Sequence, residues 1–173
     1  MASSYSSDLK LEIITTGEKA GLWGTVTNSN LEILQQAASG YIVVDMAGAD
    51  VTLALTDGAV SNGKNLYFKL TGTLAANRTL TMPAGAERIF IIEDATNRNT
   101  TKTLSVKTAS GTALAVPIGA VMLVKSDGTN TTKAITEKGY FTITSSAITA
   151  YTAVAGDQLL IDTTQTTVTI TLP

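Results

Sequence analysis

The chain has 173 residues, enough for one large domain or two small ones, and at 44% hydrophobic and 15% charged it can fill a packed core, which excludes a disordered chain. A net charge of −2, with 12 basic residues scattered along the chain, excludes a phosphate-tracking nucleic-acid surface, and no window reaches the apolar length of a membrane-spanning helix. Cys and His are both absent, which excludes disulfides, thiol nucleophiles, thiolate metal sites and any Ser-His-Asp or Cys-His arrangement.

The first region, residues 1–39, differs from the rest. Leu9-Lys10-Leu11-Glu12-Ile13 alternates apolar and polar residues, and Thr16-Gly17-Glu18-Lys19-Ala20-Gly21 reads as a loop. Trp23, the single tryptophan, follows. Residues 28–38 are the one predicted helix: Ser29 and Glu32 have capping-box spacing, Leu31, Leu34 and Ala38 recur at helical spacing, and Ser39-Gly40 is the stop. A helix this short is marginal alone and must be held by packing.

Residues 40–138 read as a β domain. Threonine occurs 30 times in the chain and alternates with Val, Ile and Leu, which is strand composition. Strands are predicted at 41–46, 51–55, 65–70, 78–82, 88–93, 103–107, 112–116, 120–125 and 133–136. Turns containing Gly, Asp, Asn or Pro separate them. No helical pattern lies between them, which argues against a parallel α/β sheet. The expected fold class is mainly β: an antiparallel β-sandwich or barrel-like body with one short N-terminal helix, in an oligomer.

An internal echo runs through this region. Thr79-Leu80-Thr81-Met82-Pro83-Ala84-Gly85 precedes the apolar run 89–92, and Thr112-Ala113-Leu114-Ala115-Val116-Pro117-Ile118-Gly119 precedes 121–124. In both, an alternating strand ends at Pro and turns at Gly before an apolar strand. Val168-Thr169-Ile170-Thr171-Leu172-Pro173 starts the same phrase, so the natural polypeptide is expected to continue past it. Residues 139–173 are accordingly read as the start of a second small β unit, with strands at 140–144, 151–153, 158–162 and 167–172 and a last turn at 163–166. A piece this small leans on another chain or on a continuation.

Glu87, Glu93 and Asp94 are the only close carboxylates suited to sugar hydrolysis, and their position at a hairpin end reads more simply as a solvated surface. Asp57 and Asp127 precede glycines, which is ordinary turn chemistry. No loop carries calcium-ligand spacing, and Gly17–Gly24 lacks both phosphate-loop and dinucleotide spacing. No cofactor and no metal are expected, and the reading is non-enzymatic.

The opening resembles that of phage tail-fibre-like virion structural proteins. The shared series is Thr16-Gly17-Glu18, then Gly21-Leu22-Trp23-Gly24, then Thr27-Asn28-Ser29-Asn30-Leu31; the phrase Tyr151–Asp157 is similar to such proteins as well. The resemblance implies a virion component, of the tail, made in the bacterial cytoplasm. Its N-terminal part would dock on the particle through Leu9, Leu11, Trp23, Asn28, Asn30, Leu31 and Leu34. The partners implied are copies of the chain itself, as a homotrimer, other tail proteins and a host surface glycan, with no nucleic acid and no membrane insertion. A capsid decoration (cement) protein and a carbohydrate-binding adsorption module are the alternatives.

Overall fold

The computed structural model describes residues 3–135, together with the backbone of the strands at 141–144, 150–152, 159–162 and 169–171. The chain divides into two compact units, Met1–Ile135 and Thr136–Pro173.

The first unit opens with a short hairpin, β1 (Ser4–Tyr5) on β2 (Glu12–Ile13), followed by α1 (Trp23–Ser39). The helix is longer than the predicted 28–38. It begins where Lys19 and Gly21 turn the chain with positive φ, and Ser29 and Glu32 lie inside it, so they cap nothing. Gly24, Thr25, Val26 and Thr27 are poor helix formers. Burial of Val26 in that first turn, with Ile33 two turns on, outweighs their propensity.

The body then winds between two sheets. β3 (Tyr41–Asp45) lies in one sheet, β4 (Val51–Thr52) in the other, and a 3₁₀ turn (Asn62–Lys64) returns the chain to the first as β5 (Tyr67–Thr71). β6 (Arg78–Met82), β7 (Glu87–Asp94) and β8 (Leu104–Thr108) continue the alternation. Hence β3, β5 and β7 pair in parallel, as do β4, β6 and β8. From Tyr41 to its neighbour Tyr67 is 26 residues, and from Leu80 to its neighbour Val106 is also 26. Each circuit is a β-solenoid coil. Then the direction reverses: β9 (Leu114–Ala115) is antiparallel to β8, β10 (Val121–Asp127) to β7, and β11 (Thr131–Lys133) to β10.

The body is therefore mainly β but built of mixed sheets, with strand orders β11-β10-β7-β5-β3 and β4-β6-β8-β9. The expected antiparallel sandwich or closed barrel is corrected. A parallel pair needs a crossover, usually a helix; here a strand of the opposite sheet supplies it, so the absence of interleaved helices did not exclude parallel pairing. The two Pro-Gly phrases are the same kind of feature. Pro83–Gly85 carries the chain from β6 to β7 and Pro117–Gly119 from β9 to β10, each time changing sheet rather than turning within one.

Inward side chains of both sheets make one core: Val44, Met46, Phe68, Leu70, Phe90, Ile92, Met122 and Val124 from one, Leu53, Leu80, Met82, Leu104 and Val106 from the other. Phe68 and Phe90 meet edge to face at 5.9 Å. Corners leave carbonyls without ladder partners, and cations satisfy them. Arg78 donates to Met46, Ala47 and Gly48 O; Arg88 to Gly63, Lys64 and Asn65 O; Arg98 to Val116 O. These are all three arginines of the chain. Buried Lys64 holds Thr56 and Ala59 O at 2.7 and 2.5 Å.

In the second unit, β12 (Phe141–Thr144) pairs in parallel with β14 (Leu159–Asp162), and β13 (Ala150–Thr152) with β15 (Thr169–Thr171). All four strands fall on predicted ones, and they alternate between two-stranded sheets. The expected turn at 163–166 lies outside the described residues.

Candidate assembly surface

The residues singled out in the opening segment fall into two groups. One group works inside the unit. The Asn30 side chain accepts from Glu12 N and donates to Glu12 O, both at 2.9 Å, which clamps β2 to the helix. Leu11 closes a turn with Ser6 through both its backbone groups, and Leu9 and Leu11 are half-buried beside Glu87 and Arg88. The Glu12 carboxylate holds Lys19 at 2.7 Å and accepts from Ser3 Oγ; these two bonds keep it below the usual glutamate range.

The other group points outward. Trp23 is 66% exposed, and Asn28, Leu31 and Leu34 are exposed as well. At about 100° per residue, Trp23, Leu34 and Leu31 lie within about 80° of one another on α1, beside the face that Val26 and Ile33 bury. Glu32 is the only charged residue of this 17-residue helix.

A second apolar surface is the outer face of the larger sheet. Strand alternation sends Tyr41 and Val43 outward from β3, Tyr67 and Lys69 from β5, Ile89, Ile91 and Glu93 from β7, and Val121 and Leu123 from β10. Register aligns them in rows: Tyr41–Tyr67–Ile91–Leu123, and Val43–Lys69–Glu93–Val121. Val43 is 53% and Val121 62% exposed. Tyr41 and Tyr67 stack at 5.3 Å. Glu93 accepts from Tyr67 Oη at 2.8 Å and pairs with Lys69 Nζ at 3.0 Å, and these bonds, Tyr67 first, hold its carboxyl below its ordinary range. Sequence reasoning did not single out this face. Its signal was present in Ile89-Phe90-Ile91-Ile92 and Val121-Met122-Leu123-Val124, where both faces of a strand are apolar although only one meets the core.

The three carboxylates considered for hydrolysis do not converge. Glu93 faces outward and Asp94 inward, as successive strand residues must. Asp94 is buried and ion-paired with Arg98 at 2.8 Å, and it accepts from Thr96 N and Oγ1 and from Gly119 N. Burial alone would raise its carboxyl; the bonds from Thr96, Gly119 and Arg98 together overcome this and hold it low. Glu87 is exposed at the start of β7. Among the described residues no group of three or more acidic, His or Cys side chains is placed to hold a metal ion. A depression of about 500 Å³ beside β11 contains a single carboxylate, Asp127, which is engaged with Thr129 and Asn130 N. Compared with protein-family models, curated proteins and solved structures, the chain matches none.

Proposed function

We propose that this chain is a structural component of a phage virion, a tail fibre or tail-associated module that works by assembling with copies of itself and with other tail proteins rather than by catalysis. The observation that carries the reading is the pair of exposed apolar surfaces: the Trp23/Leu31/Leu34 flank of α1 and the Tyr41–Leu123 face of the larger sheet. Apolar side chains grouped on an exposed face support a protein contact site. The resemblance of the opening segment supplies the viral setting, and a cytoplasmic origin suits a chain without cysteine.

The test is to label the chain and image the assembled particle. Label on the tail supports the reading; label on the capsid lattice replaces it with the cement alternative; particles without label overturn it. Trp23→Ser should leave the melting temperature unchanged and reduce incorporation into particles.

One observation favours a second reading, an adsorption module. The stacked Tyr41–Tyr67 pair beside Glu93 and Lys69 combines an aromatic platform with polar groups, which a sugar ring uses. Binding on a glycan array that is lost in Tyr41→Ala would establish it; an array without signal would remove it.

A further inference from the structure

The two margins of the larger sheet are finished differently. On one side, β10 and β11 add antiparallel strands, and Thr131 Oγ1 reaches Val106 O of the opposite sheet at 3.0 Å. On the other side the sheet ends at β3. In a parallel ladder, alternate residues bond the same neighbour. Gly40 O accepts from Tyr67 N, and Met46 N donates to Thr71 O, so the even-numbered residues of β3 face β5. The N–H and C=O groups of Tyr41, Val43 and Asp45 therefore face away from the sheet. Among the described residues none of them has a hydrogen-bond partner.

Unpaired edges are normally blunted by Lys, Pro, a bulge or a covering element. Tyr41-Ile42-Val43-Val44-Asp45 has no Lys or Pro, and its neighbours pair with β5 in unbroken register. The open groups form a symmetric set centred on Val43. Two such edges set antiparallel place Val43 opposite Val43 and Tyr41 opposite Asp45, and every open donor then meets an open acceptor. Like charges never meet, because each Asp45 faces a tyrosine. On the inner face Ile42, which packs on the core but remains partly exposed, would lie beside Val44 of the second copy and join the two cores. On the outer face the Tyr41 and Val43 rows would run on into their equivalents.

We propose that β3 is the pairing edge for a second copy of this chain, joined antiparallel about a two-fold axis at Val43. Because the contact is isologous, it occupies the β3 edge of both copies, so pairing of this edge ends at two copies rather than growing into a filament. The proposal rests on the self-assembly part of the function above and not on its viral setting. It departs from the three copies that the resemblance implies.

The experiment is a mass measurement by sedimentation equilibrium on the full chain and two variants. Val43→Pro removes an edge N–H that the β5 ladder does not use, and Val43→Lys sets two cations against each other on the axis. The native chain should have twice the 17.9 kDa chain mass. Both variants should fall to the single mass with an unchanged far-UV circular dichroism spectrum. If Val43→Pro loses its fold, Val43→Lys, at an exposed position, decides alone. A native chain of single or triple mass overturns the pairing, as does a double mass that survives Val43→Lys. A triple mass together with label on the tail overturns only this pairing, whereas a double mass with unlabelled particles overturns only the viral reading.

Discussion

The margin where the chain enters the winding and the margin where it leaves are finished differently. At the leaving margin, antiparallel strands cover the last coil, and the Asp94–Arg98 pair, with side chains 0% and 1% exposed, ties the end of β7 to Val116 and Gly119. Thr108 and Thr112 join the turn at Thr129 and Asn130. At the entering margin, Arg78 secures the corner after β3 from a half-buried position, and the β3 edge itself is bare. The difference teaches where stability and assembly are placed. The last coil is tied down by buried polar clamps, while the β3 edge of the first keeps backbone groups that have no partner among the described residues.

That contrast can be broken most sharply at Arg98. Arg98→Ala leaves Asp94 buried without its cation and should cost about 3–5 kcal/mol in urea unfolding. Arg78→Ala at the other margin removes charge-assisted bonds that water can partly replace and should cost less, about 1–3 kcal/mol. Equal losses would show that the two margins contribute alike. Thr131→Val, which removes the bond to Val106 O between the sheets, should cost about 1 kcal/mol by the same measurement. Val43→Lys should change stability by less than about 0.5 kcal/mol, because the side chain is exposed, while abolishing assembly.

Acid separates the margins as well. The Asp94 carboxyl is held below its ordinary range. Its contribution to stability is therefore complete above the unfolded-state value, about 3.9, and is lost as pH falls through the lower folded-state value. Urea midpoints measured from about pH 7 down to about pH 3 should fall for the native chain, and the fall should be shallower in Asp94→Asn.

Strand composition was legible because it depends on local chemistry. Threonine and the β-branched aliphatics suit a pleated surface whatever the topology, so most predicted strands lie where strands form, including all four of the second unit. Pairing direction was not legible. Pro83–Gly85 and Pro117–Gly119 have the composition of a hairpin turn, yet each connects one sheet to the other. A turn sequence specifies a change of direction and not the sheet that receives the next strand. Helix α1 extended to Trp23 for a related reason: Val26 finds its contact in the folded unit, and no local signal announces it.

The candidate surface divides in the same way. Leu31 and Leu34 marked the helical stripe expected to hold the helix by packing, but they are exposed together with Trp23, and Val26 and Ile33 form the buried face instead. Asn30 was grouped with them because it belongs to the same motif series, but its two bonds to Glu12 turn it inward. The three arginines, scattered when read along the chain, each secure a corner of the winding.

By itself the sequence determined a β-rich chain with one helix and without thiol or imidazole chemistry. Composition and alternation settle these points, because they follow from each residue and its immediate neighbours. Only the tertiary structure decided that the strands wind in parallel between two sheets, that Glu93 and Asp94 part to opposite faces with different partners, and that β3 is left as an edge. Those outcomes depend on hydrogen-bond partners about 26 residues away along the chain, and two-residue periodicity carries no information about them.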